Sequence, residues 1–137
     1  MTIARCVKAL TALPSQAQVF AIAVTGRGFA ARISTEFVTP LPESACFYCG
    51  NCIGVCPTGA LMFKSEHDMR RAGTWAETRQ TVTETICPYC GVGCTLRLHL
   101  QDNRIVKATS PLDHDVTAGH LCIKDRFGWE FIRSREK

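Results

Sequence analysis

The sequence has no apolar run long enough to cross a bilayer. The longest one near its start is VFAIAV (19–24), whereas a spanning helix needs about 20 apolar residues. The same region shows no secretory signal, and no twin-arginine pair stands before a hydrophobic stretch. We therefore expect a cytoplasmic protein without a membrane span.

Basic residues are not concentrated in any one segment, although the formal net charge at pH 7 is +4. Nucleic-acid-binding proteins usually gather lysine and arginine on one face, so we predict no nucleic-acid partner. Aromatic residues are scarce, at 8%, and no tandem repeat is visible. A chain of 137 residues with this composition can form one ordinary domain or two small ones.

Cysteine, in contrast, is abundant, with nine in the chain. Small secreted proteins use many cysteines for disulfides, but an odd number with tight CxxC spacing fits a disulfide framework poorly. Reduced thiols that bind metal are the simpler interpretation.

Hydrophobic periodicity predicts an α+β protein built from short elements. Residues 65–80 are polar and charged, and we predict a solvated helix or linker there, with Ser65 as a possible N-cap. The domain boundary is placed in this segment. The predicted strands are 18–24, 29–34, 81–86, 95–100 and 104–109, with turns at 26–28 and 102–103. A helix is predicted at 3–12, and a short helix or turn at 123–134.

The first cysteine motif is CFYCGNCIGVCP (46–57), which has the spacing C-x2-C-x2-C-x3-C-P. This is the spacing of bacterial [4Fe-4S] ferredoxins. Gly50 would let the backbone approach the inorganic sulfides. Zinc sites usually pair two CxxC knuckles across a longer spacer, so this motif favours iron and sulfide. Its candidate ligands are Cys46, Cys49, Cys52 and Cys56.

The role of Cys56 is left open by this spacing. In two-cluster ferredoxins the fourth cysteine binds the other cluster, whose remaining ligands come from an earlier motif. Upstream there is only Cys6, and Leu10 stands where a last ligand is needed. Either a partner chain supplies ligands, or the ligation is irregular, or the chain is a truncated piece. We predict that Cys6 is a buried core cysteine rather than a ligand.

The second motif is CPYCGVGC (87–94), followed far downstream by a lone cysteine in GHLCIK. A zinc ribbon would place a second CxxC there. Three ligands in a compact loop and a remote fourth suit a cubane, so the spacing favours iron–sulfur over zinc without excluding it. The candidate ligands are Cys87, Cys90, Cys94 and Cys122.

CPYCGVGC, the strands TLRLHL and RIVKAT, and GHLCIK together resemble the N-terminal [4Fe-4S] domain of molybdenum/tungsten bis-pyranopterin (bis-MGD) oxidoreductases. The closer similarity is to formate dehydrogenase alpha subunits, through TGRGF (25–29), CGNCIGVCPTGAL (49–61) and RFGWEFI (126–132). The large subunit of respiratory NADH dehydrogenase is also similar and ranks second.

The resemblance implies that both cysteine sets are cluster ligands. It also implies that Lys124, two residues after the last ligand, lies between the inner cluster and the pterin and assists electron transfer. The family usually has glycine where this chain has Asp125.

The resemblance implies, too, that the residues that oxidise formate lie beyond this chain. None of its four histidines, His67, His99, His114 and His120, has a nucleophile or acid partner at a suggestive spacing. We expect part of a formate dehydrogenase-type oxidoreductase that carries no catalytic residues of its own, as a fragment or a split subunit.

The overall prediction is a ferredoxin-like [4Fe-4S] part at 1–64, its first half degenerate, then a linker at 65–80 and a small β-rich bis-MGD-type [4Fe-4S] domain at 81–137. One or two [4Fe-4S] clusters would relay electrons outward from a Mo/W bis-MGD centre on a missing or partner portion to a redox partner subunit. A free-standing ferredoxin-like carrier and a zinc-binding interaction module are the alternatives.

Overall fold

The computed structural model describes residues 21–134; the predicted helix at 3–12, Cys6 and the start of the first predicted strand lie outside this range. The described residues fall into two compact units, one of residues 21–48 and 55–61, and the other of residues 49–54 and 62–134. Within the described range, no helix is both long and apolar enough to span a membrane.

The first unit contains a short antiparallel hairpin of β1 (Ala23–Thr25) and β2 (Arg32–Ser34), with Val24 opposite Ile33. The turn predicted at 26–28 is confirmed, and a 3-10 turn, Gly28–Ala30, completes the connection. Gly26 has φ +75°, and a Cβ there would lie 2.6 Å from the Ala30 oxygen, so glycine is required. Two more 3-10 turns follow, Glu36–Val38 and Leu41–Glu43.

The second unit is built on a three-stranded antiparallel sheet in the order β3-β4-β5, at the positions predicted from the sequence. Alternating and β-branched residues produce these strands. The β4–β5 turn at Asp102 and Asn103 has positive φ at both positions, 52° and 60°, as a tight two-residue hairpin requires. The strands are β3 (Gln80–Ile86), β4 (Thr95–Gln101) and β5 (Arg104–Thr109).

Four short helices lie in the described range: α1 (Asn51–Val55), α2 (Lys64–Arg71), α3 (Ile123–Phe127) and α4 (Glu130–Ser134). The segment 123–134, predicted as a short helix or turn, therefore contains two short helices. The prediction of Ser65 as an N-cap is wrong. Phe63 holds that position without a side-chain cap, and the Ser65 hydroxyl donates to the Val106 carbonyl of β5 instead.

The core of the second unit lies between the sheet and the segment that leads into α3. Its buried apolar residues are Phe63, Cys87, Leu96, Val106, Ala108, Leu121 and Trp129. Cys87, Leu96 and Leu121 form one contact cluster, and Cys94 and Leu98 pack against it. Because this core is small, Cys87 of the cysteine loop is in direct contact with Leu121, the residue before Cys122.

Residues 72–79, inside the predicted linker, are bound to the sheet. Gln101, only 2% exposed, donates to the Thr74 carbonyl at 2.8 Å and accepts from the Ala76 N–H at 3.0 Å. The Lys107 ammonium lies 5.0 Å from the centre of the Trp75 ring, within the range of a cation–π contact. The domain boundary at 65–80 stays a prediction.

Candidate metal centre

Cys87 and Cys94 close the loop that joins β3 to β4. The Cys87 N–H donates to the Cys94 carbonyl at 2.9 Å, so the two residues face each other across the mouth of the loop. Cys87 is 4% exposed, and Cys90 lies exposed within the loop. The Tyr89 N–H approaches the Cys87 sulfur at 3.4 Å, an amide-to-sulfur contact of the kind that tunes an iron–sulfur cluster.

Cys122 is the N-cap residue of α3 and is exposed. Two contacts bring this helix to the loop of CPYCGVGC. Leu121 packs against Cys87 in the core, and the Tyr89 hydroxyl donates to the Gly128 carbonyl at 2.8 Å. Lys124 lies on the same helix and is exposed.

Burial raises the pKa of the Cys87 and Cys94 thiols, and the neighbouring Asp125 carboxylate raises both further. For Cys94 the pKa rises to about 11. Both groups are therefore protonated thiols near neutral pH, and metal binding must displace their protons.

Asp125 is the most unusual group beside these thiols. It is 3% exposed, its Oδ2 accepts from the Cys122 N–H at 3.5 Å, and its Oδ1 has no hydrogen-bond partner among the described residues. A buried carboxylate oxygen without a partner is costly and needs a reason. The sequence identified Asp125 only as a departure from the usual glycine.

In the first motif, Cys46 and Cys56 lie in the first unit. The Tyr48 N–H approaches the Cys46 sulfur at 3.4 Å, and the Leu61 N–H approaches the Cys56 sulfur at the same distance. The Tyr48–Cys46 contact matches the Tyr89–Cys87 contact of the second motif. In both, the N–H belongs to the residue two positions after the first cysteine of the motif. None of the eight described cysteines is in a disulfide.

Cys49 and Cys52 lie in the second unit, on a segment that we call the 49–54 loop. The loop turns at Gly50, which has φ +72°, and the Ile53 N–H bonds back to the Gly50 carbonyl at 3.0 Å. Asn51 is buried, and its Oδ1 accepts from the Leu121 N–H at 3.0 Å.

Arg126 of α3 binds the same loop. Its Nε donates to the Cys49 carbonyl at 3.0 Å, and its Nη2 donates to Asn51 Oδ1 at 2.8 Å. The side chain is 1% exposed, and burial lowers its pKa, whereas the nearby Cys49 and Cys52 act in the opposite direction. Sequence reasoning missed both Asn51 and Arg126. The only available signal was a charged residue within the largely apolar RFGWEFI.

Among residues 21–134, no group of three histidine, cysteine or acidic side chains is arranged around a point that a single metal ion could occupy. The donor set nevertheless suits a cluster: the thiols lie in glycine-containing loops, and backbone N–H groups contact a sulfur in each motif. Soft thiolate ligands with amide donors are what an iron–sulfur cluster requires.

Two family matches agree with this geometry. Residues 80–134 match the molybdopterin oxidoreductase Fe4S4 domain, and residues 40–62 match the 4Fe-4S binding domain. The [4Fe-4S] cofactor predicted from the sequence is confirmed, as is the fold, a ferredoxin-type region followed by a β-rich cluster domain.

Similar proteins are much longer than this chain. The NADPH-Fe(3+) oxidoreductase subunit alpha of Geobacter sulfurreducens is 38% identical over 85% of this chain, which spans 13% of that relative. A NADH-quinone oxidoreductase subunit of Rhizobium meliloti is 39% identical over 69% of the chain and 10% of the relative. A "Putative formate dehydrogenase" of Staphylococcus aureus is 26% identical over 77% of the chain and 14% of its own length.

Proposed function

Because the chain carries the iron–sulfur electron-transfer domains of molybdopterin oxidoreductase-family proteins, we propose that it relays single electrons between a pterin-bound metal centre and an outer acceptor. The observation that carries this proposal is the junction at α3. This helix begins at Cys122 of the second motif and is hydrogen-bonded through Arg126 to Cys49 of the first. Two cysteine motifs joined by one short helix suit electron transfer better than two independent zinc knuckles.

Each group of residues has a defined part in the proposal. A [4Fe-4S] cluster, when bound, supplies a reversible one-electron couple. The second motif holds the inner cluster, and Lys124, exposed on α3, contacts the pterin side. The first motif holds the outer cluster through Cys46, Cys49 and Cys52, with Cys56 as a further ligand. The ligands of the inner cluster are Cys87, Cys90, Cys94 and Cys122.

We propose formate as the substrate of the pterin portion, on the strength of the motif resemblance and of the formate dehydrogenases among the relatives. The second candidate is an NAD(P)H-linked assembly. It is favoured by the higher identity to the Geobacter and Rhizobium subunits over large shares of the chain. In either case the partners are a pterin-binding portion and a redox subunit, and the location is cytoplasmic. No residue of this chain acts on the substrate.

The test is to purify the chain anaerobically, reconstitute it, and count iron and acid-labile sulfide. We expect about eight irons per chain from two cubanes, with broad absorbance near 400 nm. Cys90→Ala should remove the inner cluster and leave about four irons, and Cys49→Ala should remove the outer one and leave the same number. Formate oxidation should be absent.

Other outcomes identify the alternatives. A colourless chain with stoichiometric zinc would contradict the proposal and support a zinc module. Reversible reduction without any binding to a pterin-containing subunit would favour a free-standing carrier. Formate turnover by the pure chain would contradict the absence of catalytic residues. Reduction of the reconstituted chain by formate or by NADH, each with its partner portion present, separates the two substrate candidates.

A further inference from the structure

Helix α3 carries two adjacent buried residues of opposite charge. Asp125 is 3% exposed and Arg126 is 1% exposed. Charged side chains are almost never buried to this degree unless they are paired or serve a site. Their opposite charges attract each other, but no hydrogen bond or ion pair joins the two side chains within the described part of the chain. Each side chain therefore makes its close contacts elsewhere.

Arg126 is directed at the outer motif. Both of its hydrogen bonds go to the 49–54 loop, to the Cys49 carbonyl and to Asn51. The loop is shaped to receive it: a Cβ on Gly50 would collide with Arg126 Cδ, and a Cβ on Gly54 would lie 3.8 Å from Nη1. The guanidinium is thus a fixed positive charge beside Cys49 and Cys52.

Asp125 is directed at the inner motif. Its Oδ2 accepts from the N–H of Cys122, and its carboxylate neighbours the Cys87 and Cys94 thiols, whose pKa it raises. Its Oδ1 has no hydrogen-bond partner among the described residues. The carboxylate is thus a fixed negative charge beside the inner ligands.

A fixed charge near a redox centre changes its reduction potential, because it interacts with the negative charge that reduction adds. Reduction places one electron, and therefore one negative charge, on the centre, and no bond forms or breaks. A neighbouring cation stabilises the reduced form and a neighbouring anion destabilises it, more strongly in a buried, low-dielectric site than in water.

We propose that Asp125 and Arg126 give the relay its direction, the carboxylate lowering the reduction potential of the centre held by Cys87 and Cys94, and the guanidinium raising that of the centre held through Cys49 and Cys52. Transfer from the inner to the outer centre is then favourable, which is the direction in which electrons leave a pterin site. This inference rests on the proposed function, because it needs two iron–sulfur centres.

Different variants separate the effect of the charge of Arg126 from the effect of how its guanidinium is held in place. Arg126→Lys keeps the cation and loses the planar pair of donors. Arg126→Gln keeps an amide donor and loses the charge. Asn51→Ala removes the acceptor that fixes the guanidinium and leaves the charge in place. Arg104→Gln, at an exposed arginine on β5, removes the same charge from a residue that makes none of the contacts described for the cysteine motifs, and is the matched control.

The experiment is an anaerobic redox titration of the reconstituted full chain, followed by electron paramagnetic resonance, with the two signals assigned from Cys49→Ala and Cys90→Ala. We expect Arg126→Gln to lower the ratio of reduced to oxidised outer centre about tenfold at a fixed potential, which is about 59 mV for one electron. Asp125→Asn should raise that ratio for the inner centre by a similar factor. Arg126→Lys, Asn51→Ala and Arg104→Gln should each change either ratio less than threefold.

Three results would overturn the inference: no shift in either charge-removing variant, shifts of the same sign, or a shift in Asn51→Ala as large as in Arg126→Gln. Should Arg126→Gln fail to fold, Arg126→Met and Asp125→Asn provide the same comparison. A wild-type chain that binds no iron overturns the proposed function as well. A wild-type chain with both centres, whose potentials the charge-removing variants leave unmoved, overturns only the inference.

Discussion

At the scale of single residues, Gly50 shows how closely the 49–54 loop fits helix α3. It has φ +72°, and an added Cβ would meet Arg126 Cδ and lie 2.9 Å from Phe127 Cζ. Gly73, which follows α2, has φ +70° and no atom within 4 Å of the same position. Both glycines therefore have a positive φ, which favours glycine, and they differ in the atoms that an added Cβ would meet.

Gly73→Ala should cost about 1 kcal/mol of unfolding free energy, since alanine tolerates a left-handed backbone poorly. Gly50→Ala should cost about 1–3 kcal/mol more, because its methyl group also displaces Arg126. Urea unfolding of the two variants beside wild type measures the difference. Equal losses would show that the loop does not hold Arg126 as described.

At the scale of elements, the sheet places a titratable group between strands. His99 of β4 pairs with Lys107 of β5, and its Nε2 lies 2.9 Å from the Thr109 hydroxyl. Burial lowers the pKa of His99, and the positive charges of Lys107 and Arg97 lower it further, against the opposing effect of Glu66.

A lowered histidine pKa means that the unfolded chain binds a proton more readily than the folded one. Stability is then fully present above the ordinary value of 6.5 and falls as the pH drops through the folded pKa below it. We expect the unfolding free energy of wild type to decline as the pH falls below 6.5, and that of His99→Gln to decline less over the same interval.

The measurement is denaturant unfolding at several pH values. His67→Gln, at an exposed histidine on α2, is the control and should follow wild type. A His99→Gln curve parallel to that of wild type would contradict the assignment of this pH dependence to β4.

At the scale of the whole molecule, the segment predicted to link two domains is partly attached to the second unit. Gln101, at the end of β4, bonds to Thr74 and Ala76 and also lies 3.4 Å from the Gln80 amide nitrogen. We therefore expect this buried amide to be the main contact that holds residues 72–79 to the sheet.

Gln101→Ala should cost about 1–3 kcal/mol, because it removes the two hydrogen bonds by which the buried Gln101 side chain holds the backbone of Thr74 and Ala76. Trypsin should then cleave faster after Arg71 and Arg79. Gln80→Ala, which removes a single long contact, is the control and should change neither property strongly. Unchanged cleavage in Gln101→Ala would show that other contacts hold the segment.

Sequence pattern alone predicted the strands of the second unit, the turn of the first unit's hairpin, and the two cysteine motifs with their cofactor type. Of the strand predicted at 29–34, only Arg32–Ser34 is a strand. All of these depend on local spacing: alternation defines strands, glycine defines turns, and cysteine intervals define cluster loops. The ligand assignments themselves, including the roles of Cys56 and Lys124, remain predictions.

The surroundings of those motifs follow from packing and not from local pattern. Cys49 and Arg126 are far apart in the chain, and no local pattern indicates that one binds the carbonyl of the other. The burial of Asp125 and the change of Ser65 from an expected cap to a bond with β5 were also decided by packing. Long-range contacts of this kind follow from how the core closes, and that depends on the whole of the second unit rather than on any one segment.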